Sequence, residues 1–422
     1  MNATEKGRPQ AIAVLGAGIV GAATALALAA DGHAVTVIDR DLPGAGTSSG
    51  NAGGVVEGAI MPTATPEAIR ALPGYLLDRH GAAVLRPSYA LQILPWLVRF
   101  IAAARPRRVA SIAAALQPLV SRAMQAHGTL AALAGAERRI QCVGWLKVYS
   151  SQAAYEKTAF QRQLMSRHGV RFTALNAAEV ADLEPRLSRD AYDCGLMQPG
   201  SGFVNDPRGL VQAYLEAAVR QGAQFIQDRV NAVQPSGAGA VRVLCTQAER
   251  RFDAVVIATG AWSKQFASQV GDSVCLDTER GYHLSLASDD GPLLTRPVGF
   301  PEQDCVLSPM HDGLSIVSGD ELAGLTAAPD FRRIRALLPF VRKVLPGTAT
   351  QAVQREWMGH RPSTPDSLPV IGRSPKAGNV LYAFGHGHLG LTQSAITAQL
   401  IAGLVGGRPD PFDLTPYRID RF

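Results

Sequence analysis

The chain has 422 residues, of which 47% are hydrophobic and 18% charged, a balance that fits a globular protein of two or three domains and excludes a mainly disordered one. Its 42 glycines follow no G-X-Y period, which rules out a collagen-like structure, and no apolar stretch reaches the roughly 20 residues that a spanning helix needs. The net charge of +6 comes from scattered Lys and Arg without aromatic interleaving, so nucleic acid is not an expected partner.

In chain order, Met1 to Gln10 is polar and leads into a glycine motif instead of a small-residue cleavage site, so no secretory signal is read and the expected location is cytoplasmic. Ala11 to Leu15 is a short apolar run, Gly16-Ala17-Gly18-Ile19-Val20-Gly21 follows, and an Ala/Leu-rich helix continues to Ala30. After the stop signal Asp31-Gly32, the apolar run Ala34 to Ile38 ends in Asp39. Strand, glycine turn, helix and strand complete one βαβ unit, in which each glycine has a physical task. Gly16 allows the tight turn, Gly18 lets the backbone approach a pyrophosphate, and Gly21 lets helix and strand pack closely. The helix N-terminus offers free N–H groups to the phosphates. Asp39 stands where an acid accepts hydrogen bonds from a ribose and disfavours a 2′-phosphate.

Residues 66–135 have helical spacing, whereas Gly144 to Tyr149, Val241 to Thr246, Gly281 to Ala287 and Leu314 to Ser318 read as strands of a second, antiparallel domain. Leu91 to Val109 combines apolar residues, Trp96 and a basic end, as an interfacial helix does. Pro95 and the lack of a clean polar face favour ordinary helix packing, which leaves peripheral membrane contact open. Phe252 to Ala258 is an apolar strand that exits through Thr259-Gly260-Ala261-Trp262, and Val380 to Phe384 runs into Gly385-His386-Gly387-His388-Leu389-Gly390 and a helix to about Val405. Three strands from the start, middle and end of the chain thus converge on one ligand, and the dinucleotide domain is discontinuous. The five cysteines (Cys142, Cys194, Cys245, Cys275 and Cys305) have no close pair and read as packing residues; no metal-ligand set or Ser-His-Asp set stands out.

GAGIVG with Asp39, TSSGNAGG at 47–54, VVIATGAWS at 255–263, GHRPSTPDSLPVIG at 359–372 and GHGHLGLT at 385–392 together resemble the D-amino-acid oxidase superfamily of FAD-dependent oxidoreductases, most closely its D-amino-acid dehydrogenase branch. The resemblance implies an α/β fold with a Rossmann-like FAD-binding domain at 1–60, 205–270 and 350–422. A substrate-binding domain with a large antiparallel sheet would take 61–204 and 271–349. It implies FAD held non-covalently, since neither the His nor the Cys that links flavin in some relatives is present. Gly16, Gly18, Ile19, Val20 and Gly21 would hold the pyrophosphate, Asp39 with Arg40 the adenosine ribose, and Val230 the adenine. Ser48, Ser49, Asn51 and Gly53 would lie along the flavin or its ribityl chain. Thr259, Gly260 and Trp262 would line the cofactor, and Gly387, His388, Leu389, Gly390, Leu391 and Thr392 would meet the pyrimidine edge of the flavin, where a helix N-terminus stabilises negative charge.

For the chemistry, Arg361 matches the arginine that pairs with the substrate carboxylate in related oxidases, a task suited to a guanidinium fork. Tyr282 reads either as a hydroxyl offered to that carboxylate or as a buried core tyrosine; His283 would point to the opposite face. His388 would bind the substrate amine or ring or tune the flavin, and His386 reads as a packing residue. The resemblance implies oxidation of a D-amino acid by hydride transfer from its α-carbon to flavin N5, with electrons passed to a quinone or another respiratory acceptor at the inner membrane. HGHLG at 386–390 points within that branch to D-proline or cis-4-hydroxy-D-proline. The alternatives are a glycine- or sarcosine-type oxidase using O2 and, more remotely, the FAD domain of an RNA-modifying enzyme.

Overall fold

The computed structural model describes residues 8–70, 83–236, 239–287 and 291–422. A sheet of six strands runs in the order Gln224–Gln227, Ala34–Asp39, Ala11–Leu15, Ala254–Ile257, Val380–Phe384 and Val370–Arg373. The first five are parallel and the last is antiparallel to its neighbour. Strands buried on both faces need unbroken apolar runs, and Ala254–Ile257 and Val380–Phe384 are buried at every position. The helix Ile19–Ala30 lies over this sheet with ten of its residues buried, so small side chains on nearly every face let it pack against Pro207–Arg220 and Gly390–Val405. The α/β class and the convergence of three distant strands agree with the sequence reading.

The second layer is a nine-stranded sheet. Its path runs Val353–Ser363, Asp277–Leu286, Gly313–Leu322, Cys305–Met310, Val298–Phe300, Trp145–Tyr149, Cys194–Gln198 and Thr173–Asn176, with Ala83–Leu85 pairing beside Gly313–Leu322. One face carries a core of Tyr282, Leu284, Leu286, Ile316, Leu307 and neighbours, backed by the helices Arg332–Arg335 and Leu338–Val344. The other face roofs a cavity above the C-terminal ends of the parallel strands, where open α/β sheets bind ligands.

Three boundaries differ from the expected ones. Val353–Ser363, expected in the nucleotide domain, is an edge strand of the large sheet because it pairs along its length with Asp277–Leu286. The helices Ala90–Ala103, Pro106–Val120 and Ala123–Ala134, expected in the substrate domain, share one apolar core with the helices of the parallel sheet, since Ile93, Leu116, Leu119 and Leu130 merge with the face of Gly390–Val405. Val241–Cys245 belongs to a separate three-stranded sheet with Val230–Pro235 and Glu249–Phe252. Part of the 66–135 stretch, residues 71–82, lies outside the described residues.

The segment from Leu91 to Val109 is two helices, broken where Pro106 takes the first turn of the second and Arg105 is extended. Ile93, Trp96 and Phe100 point inward, and Trp96 Nε1 donates to Ser363 O at 3.1 Å. Leu91, Leu94, Val98 and Ile101, at helical spacing, are 87%, 52%, 58% and 44% exposed, so the helix is apolar on its outer side as well. Among the described residues no helix is long and apolar enough to cross a membrane.

Candidate active site

The cavity between the two sheets has a volume of about 750 Å³. Its floor begins at the glycine turn. Gly16 has φ +105°, and a Cβ there would meet Ala258 O at 2.5 Å, so only glycine fits between the two adjacent strand ends. A Cβ on Gly21 would strike Gly16 O, which accounts for the third glycine as a packing residue outside the cavity wall. Gly18, Ile19 and Val20 line the cavity at the helix N-terminus, where Ile19 N donates to Ser48 Oγ at 2.9 Å. Asp39 accepts from Ala17 N at 2.7 Å and from Asp41 N at 3.0 Å, and its carboxylate keeps lone pairs toward the cavity. Beside it the Arg40 guanidinium lies 4.5 Å over the Trp262 ring, and Val230, Thr259 and Gly260 complete this end.

Toward the other end, Asn51 is fixed by its own turn: its Oδ1 accepts from Gly53 N at 2.7 Å and its Nδ2 donates to Ser48 O at 2.8 Å. Ser49 and Gly53, expected at the cofactor, do not line the cavity. Ser49 Oγ accepts from Arg355 Nη2 at 3.0 Å, and Gly53 is backed against Phe203 and Val204. Gly387, His388, Leu389, Gly390, Leu391 and Thr392 all line it where the helix Gly390–Val405 begins. Thr392 Oγ1 donates to Gly54 O at 3.0 Å, tying this helix start to the floor.

The roof carries the charges. The Arg361 guanidinium lies over Gly281, donates to Gly319 O at 2.9 Å and pairs with Asp320. His388 Nε2 bonds Glu279 Oε2 at 2.9 Å and stands 3.5 Å from Asp320 Oδ1. Burial works against an imidazolium there, but Asp320 and Glu279 outweigh it and raise the His388 pKa above its ordinary value. Asp304, in the left-handed region at φ +46°, adds a third carboxyl. Desolvation and then Asp320 push it up to about 7, against the pull of His388 and Arg361. Ligand atoms of Glu279, Asp320 and His388 lie within 4.8 Å of one another, but Asp320 is already neutralised by Arg361.

Tyr282 is a correction. It is 2% exposed and lines no part of the cavity; its hydroxyl donates to Glu321 Oε2 at 2.5 Å and accepts from Asp330 N at 3.1 Å, with Phe331 against its ring. Alternation along the strand separates Tyr282 from His283 as expected, but it is Gly281 and the His283 face that turn toward the cavity side. His386 is the packing residue expected, bonded to Thr397 Oγ1 at 3.0 Å and driven by burial to a pKa of about 3. The sequence reading missed Asp304, Asp320, Trp357 and Lys147, all of which line the cavity and none of which sits in a glycine-rich motif.

The geometry agrees with comparison to known proteins. A family profile described as FAD dependent oxidoreductase matches residues 11–404. The chain belongs to this family. The oxidoreductase is 34% identical to a D-amino-acid oxidase of Bradyrhizobium diazoefficiens, over 97% of this chain and 98% of that protein. It is 30% identical to a D-amino acid dehydrogenase of Rhizobium johnstonii, over 97% and 99%. Among solved structures, a glycine oxidase from Geobacillus kaustophilus superposes with a TM-score of 0.75 at 23% identity over 98% and 99% of the two chains, a likeness of fold. The donor set fits FAD: a dinucleotide turn and Asp39 at one end, and at the other the start of the helix Gly390–Val405 beneath a roof where Gly281 and Gly359 let the Arg361 guanidinium and the Trp357 ring lie flat against the sheet.

Proposed function

We propose that the oxidoreductase dehydrogenates a D-amino acid at its α-carbon and passes the electrons to a quinone or another respiratory acceptor. The observation that carries this reading is the roof cluster, in which a guanidinium and two carboxyls, Asp320 and Asp304, face one cavity. The full-length D-amino-acid oxidase and dehydrogenase relatives support it. When bound, FAD supplies the acceptor for a hydride. The chain's own residues do the rest.

Arg361 anchors the substrate carboxylate, exchanging its contact with Asp320 for a stronger bidentate one. The Asp320 carboxylate so released, with Asp304, faces the substrate ammonium. Asp304, poised near neutrality, accepts the ammonium proton, leaving the neutral amine that hydride loss requires. His388, held by Glu279 and with its pKa raised by Asp320 and Glu279, stands at the start of the helix Gly390–Val405.

Taken alone, the HGHLG stretch favours D-proline or cis-4-hydroxy-D-proline, a narrower reading that competes with the acidic substrate argued below, and the outward stripe of Leu91, Leu94, Val98 and Ile101 supports contact with a membrane surface where a quinone is met. A second reading, oxidation by O2, is favoured by the name of the 34% identical relative. Anaerobic bleaching of the flavin by D- and L-amino acids, D-proline, cis-4-hydroxy-D-proline, glycine and sarcosine tests the reaction. Bleaching by D-substrates, with fast recolouring by a quinone and slow recolouring in air, is the expected result; fast recolouring in air supports the oxidase. Arg361→Ala is expected to keep its flavin and lower reduction by about 10²–10³-fold at subsaturating substrate, the loss of a charge-assisted bidentate contact. Unchanged reduction removes Arg361 as the anchor.

A further inference from the structure

Lys147 lies in the same cavity and is used by nothing described so far. It sits on Trp145–Tyr149, five strands across the roof from Arg361. Among the described residues the charged groups at the other end of the cavity are engaged with one another: Arg361 pairs with Asp320, His388 with Glu279, and Asp304 lies in the field of Asp320, His388 and Arg361. Among the described residues Lys147 has no hydrogen-bond or ion-pair partner, and no carboxylate is close enough to offset the burial that lowers its pKa. Beside it, Gln198 is 1% exposed, lines the cavity and leaves its Oε1 unbonded, while its Nε2 has only Met165 Sδ at 3.9 Å. Gln198 pairs with Trp145 across the strands, so its side chain shares the Lys147 face, and Gln161 from the helix Ala159–Arg167 lines the same end. A half-buried ammonium that lines a cavity and a buried amide oxygen, both without partners, are costly unless a ligand satisfies them.

The roof register gives the spacing. Trp357, His283, Val317, Val306, Gly299 and Lys147 follow one another across the sheet. The Arg361 guanidinium lies over Gly281, and the Lys147 stem lies against Gly299, with Cγ 3.5 Å from where a Cβ would be. Three strand steps separate those two glycine strands, roughly 14 Å at about 4.8 Å each. Between the two cations stand Asp320 and Asp304. Read across the roof, the charges run positive, negative, positive.

Resting on the D-amino-acid reading, we propose that Lys147 receives a second carboxylate, so that the substrate is a D-amino acid with an acidic side chain of glutamate length or somewhat longer. Its α-carboxylate meets Arg361, its ammonium meets Asp304 and Asp320, and its side-chain carboxylate meets Lys147 with Gln198 and Gln161 beside it. Such a molecule spans most of the separation once an ion-pair contact of about 3–4 Å is added at each end.

The test uses the flavin-loaded enzyme and two readouts. Anaerobic flavin reduction by D-glutamate is expected to exceed that by D-glutamine by about 10–100-fold in rate over dissociation constant, the worth of one charge-assisted contact. Lys147→Met brings this ratio toward one, and Lys147→Arg retains it. Binding of glutarate against butyrate, read by thermal shift, is expected to favour glutarate in the wild type and to lose that preference in Lys147→Met. A glutamate-to-glutamine ratio near one in the wild type, or a ratio that Lys147→Met leaves unchanged, overturns the proposal. If no D-amino acid reduces the flavin while glutarate still binds through Lys147, the D-amino-acid reading fails and the second carboxylate site stands. If glutarate and butyrate bind alike, the site itself fails.

Discussion

The floor of the cavity presents backbone, glycines and short side chains, with bonds such as Ile19 N to Ser48 Oγ, whereas the roof presents the charged side chains of Arg361, Asp320 and Lys147, drawn from three different strands. The two surfaces solve different problems. A floor built from backbone N–H groups and a helix N-terminus suits a cofactor that never varies, and little in it can change without a clash. A roof of side chains on a rigid sheet can be altered one residue at a time without disturbing its neighbours' pairing, which makes it the place where substrate choice is decided.

The comparison breaks most visibly at Gly16. Gly16→Val places a β-branched residue at φ +105° with its Cβ against Ala258 O, and the expected outcome is purified protein with little or no bound flavin, measured as flavin absorbance per chain. Retained flavin would mean that the floor tolerates variation as the roof does.

On the roof the effect is intermediate and depends on pH. The Asp304 carboxyl, raised to about 7, is protonated below that pH and then cannot take the ammonium proton, so flavin reduction falls as pH drops through 7. Asp304→Asn is expected to erase this acid limb and to lower reduction at pH 8 by about 10²-fold. A limb that persists in the variant assigns the titration to another group.

The smallest effect is expected on the far side of the roof. Tyr282→Phe removes the bond to Glu321 and leaves Asp330 N without its acceptor, at a cost of about 1–2 kcal/mol in stability and a fall of a few degrees in Tm, with flavin reduction unchanged. A changed reduction rate would return Tyr282 to the substrate side.

The floor was legible because its physics is local. Gly16, Gly18 and Asp39 are constrained by a single βαβ unit, and GHGHLGLT by the start of one helix, so spacing along the chain carries the information. Tyr282 shows where that stops. Period two puts Tyr282, Leu284 and Leu286 on one apolar face and Gly281, His283 and Ser285 on the other, but it does not say that the cavity lies on the polar side and that Tyr282 therefore turns away from it. Asp304 and Asp320 meet across the hairpin of Cys305–Met310 and Gly313–Leu322, but Lys147 joins their sheet, and Arg361 reaches Asp320, only through the pairing of strands far apart in sequence, and no local pattern marks a carboxyl that will be left facing a guanidinium. The edge strand Val353–Ser363 escaped the expected domain division for the same reason: its partner, Asp277–Leu286, lies some way upstream in the chain.

The strand order of the parallel sheet also bears on how the protein is made. Ala254–Ile257 is flanked by Ala11–Leu15, which is synthesised well before it, and by Val380–Phe384, which is synthesised well after it. Until the later strand arrives, one edge of Ala254–Ile257 is an unpaired apolar template, the kind of exposed edge on which nascent chains associate. Because Gly387 to Thr392 also line the cofactor cavity, acquisition of the flavin has to wait until this stretch has been made and has packed against the earlier strands, long after the Gly16 turn was formed.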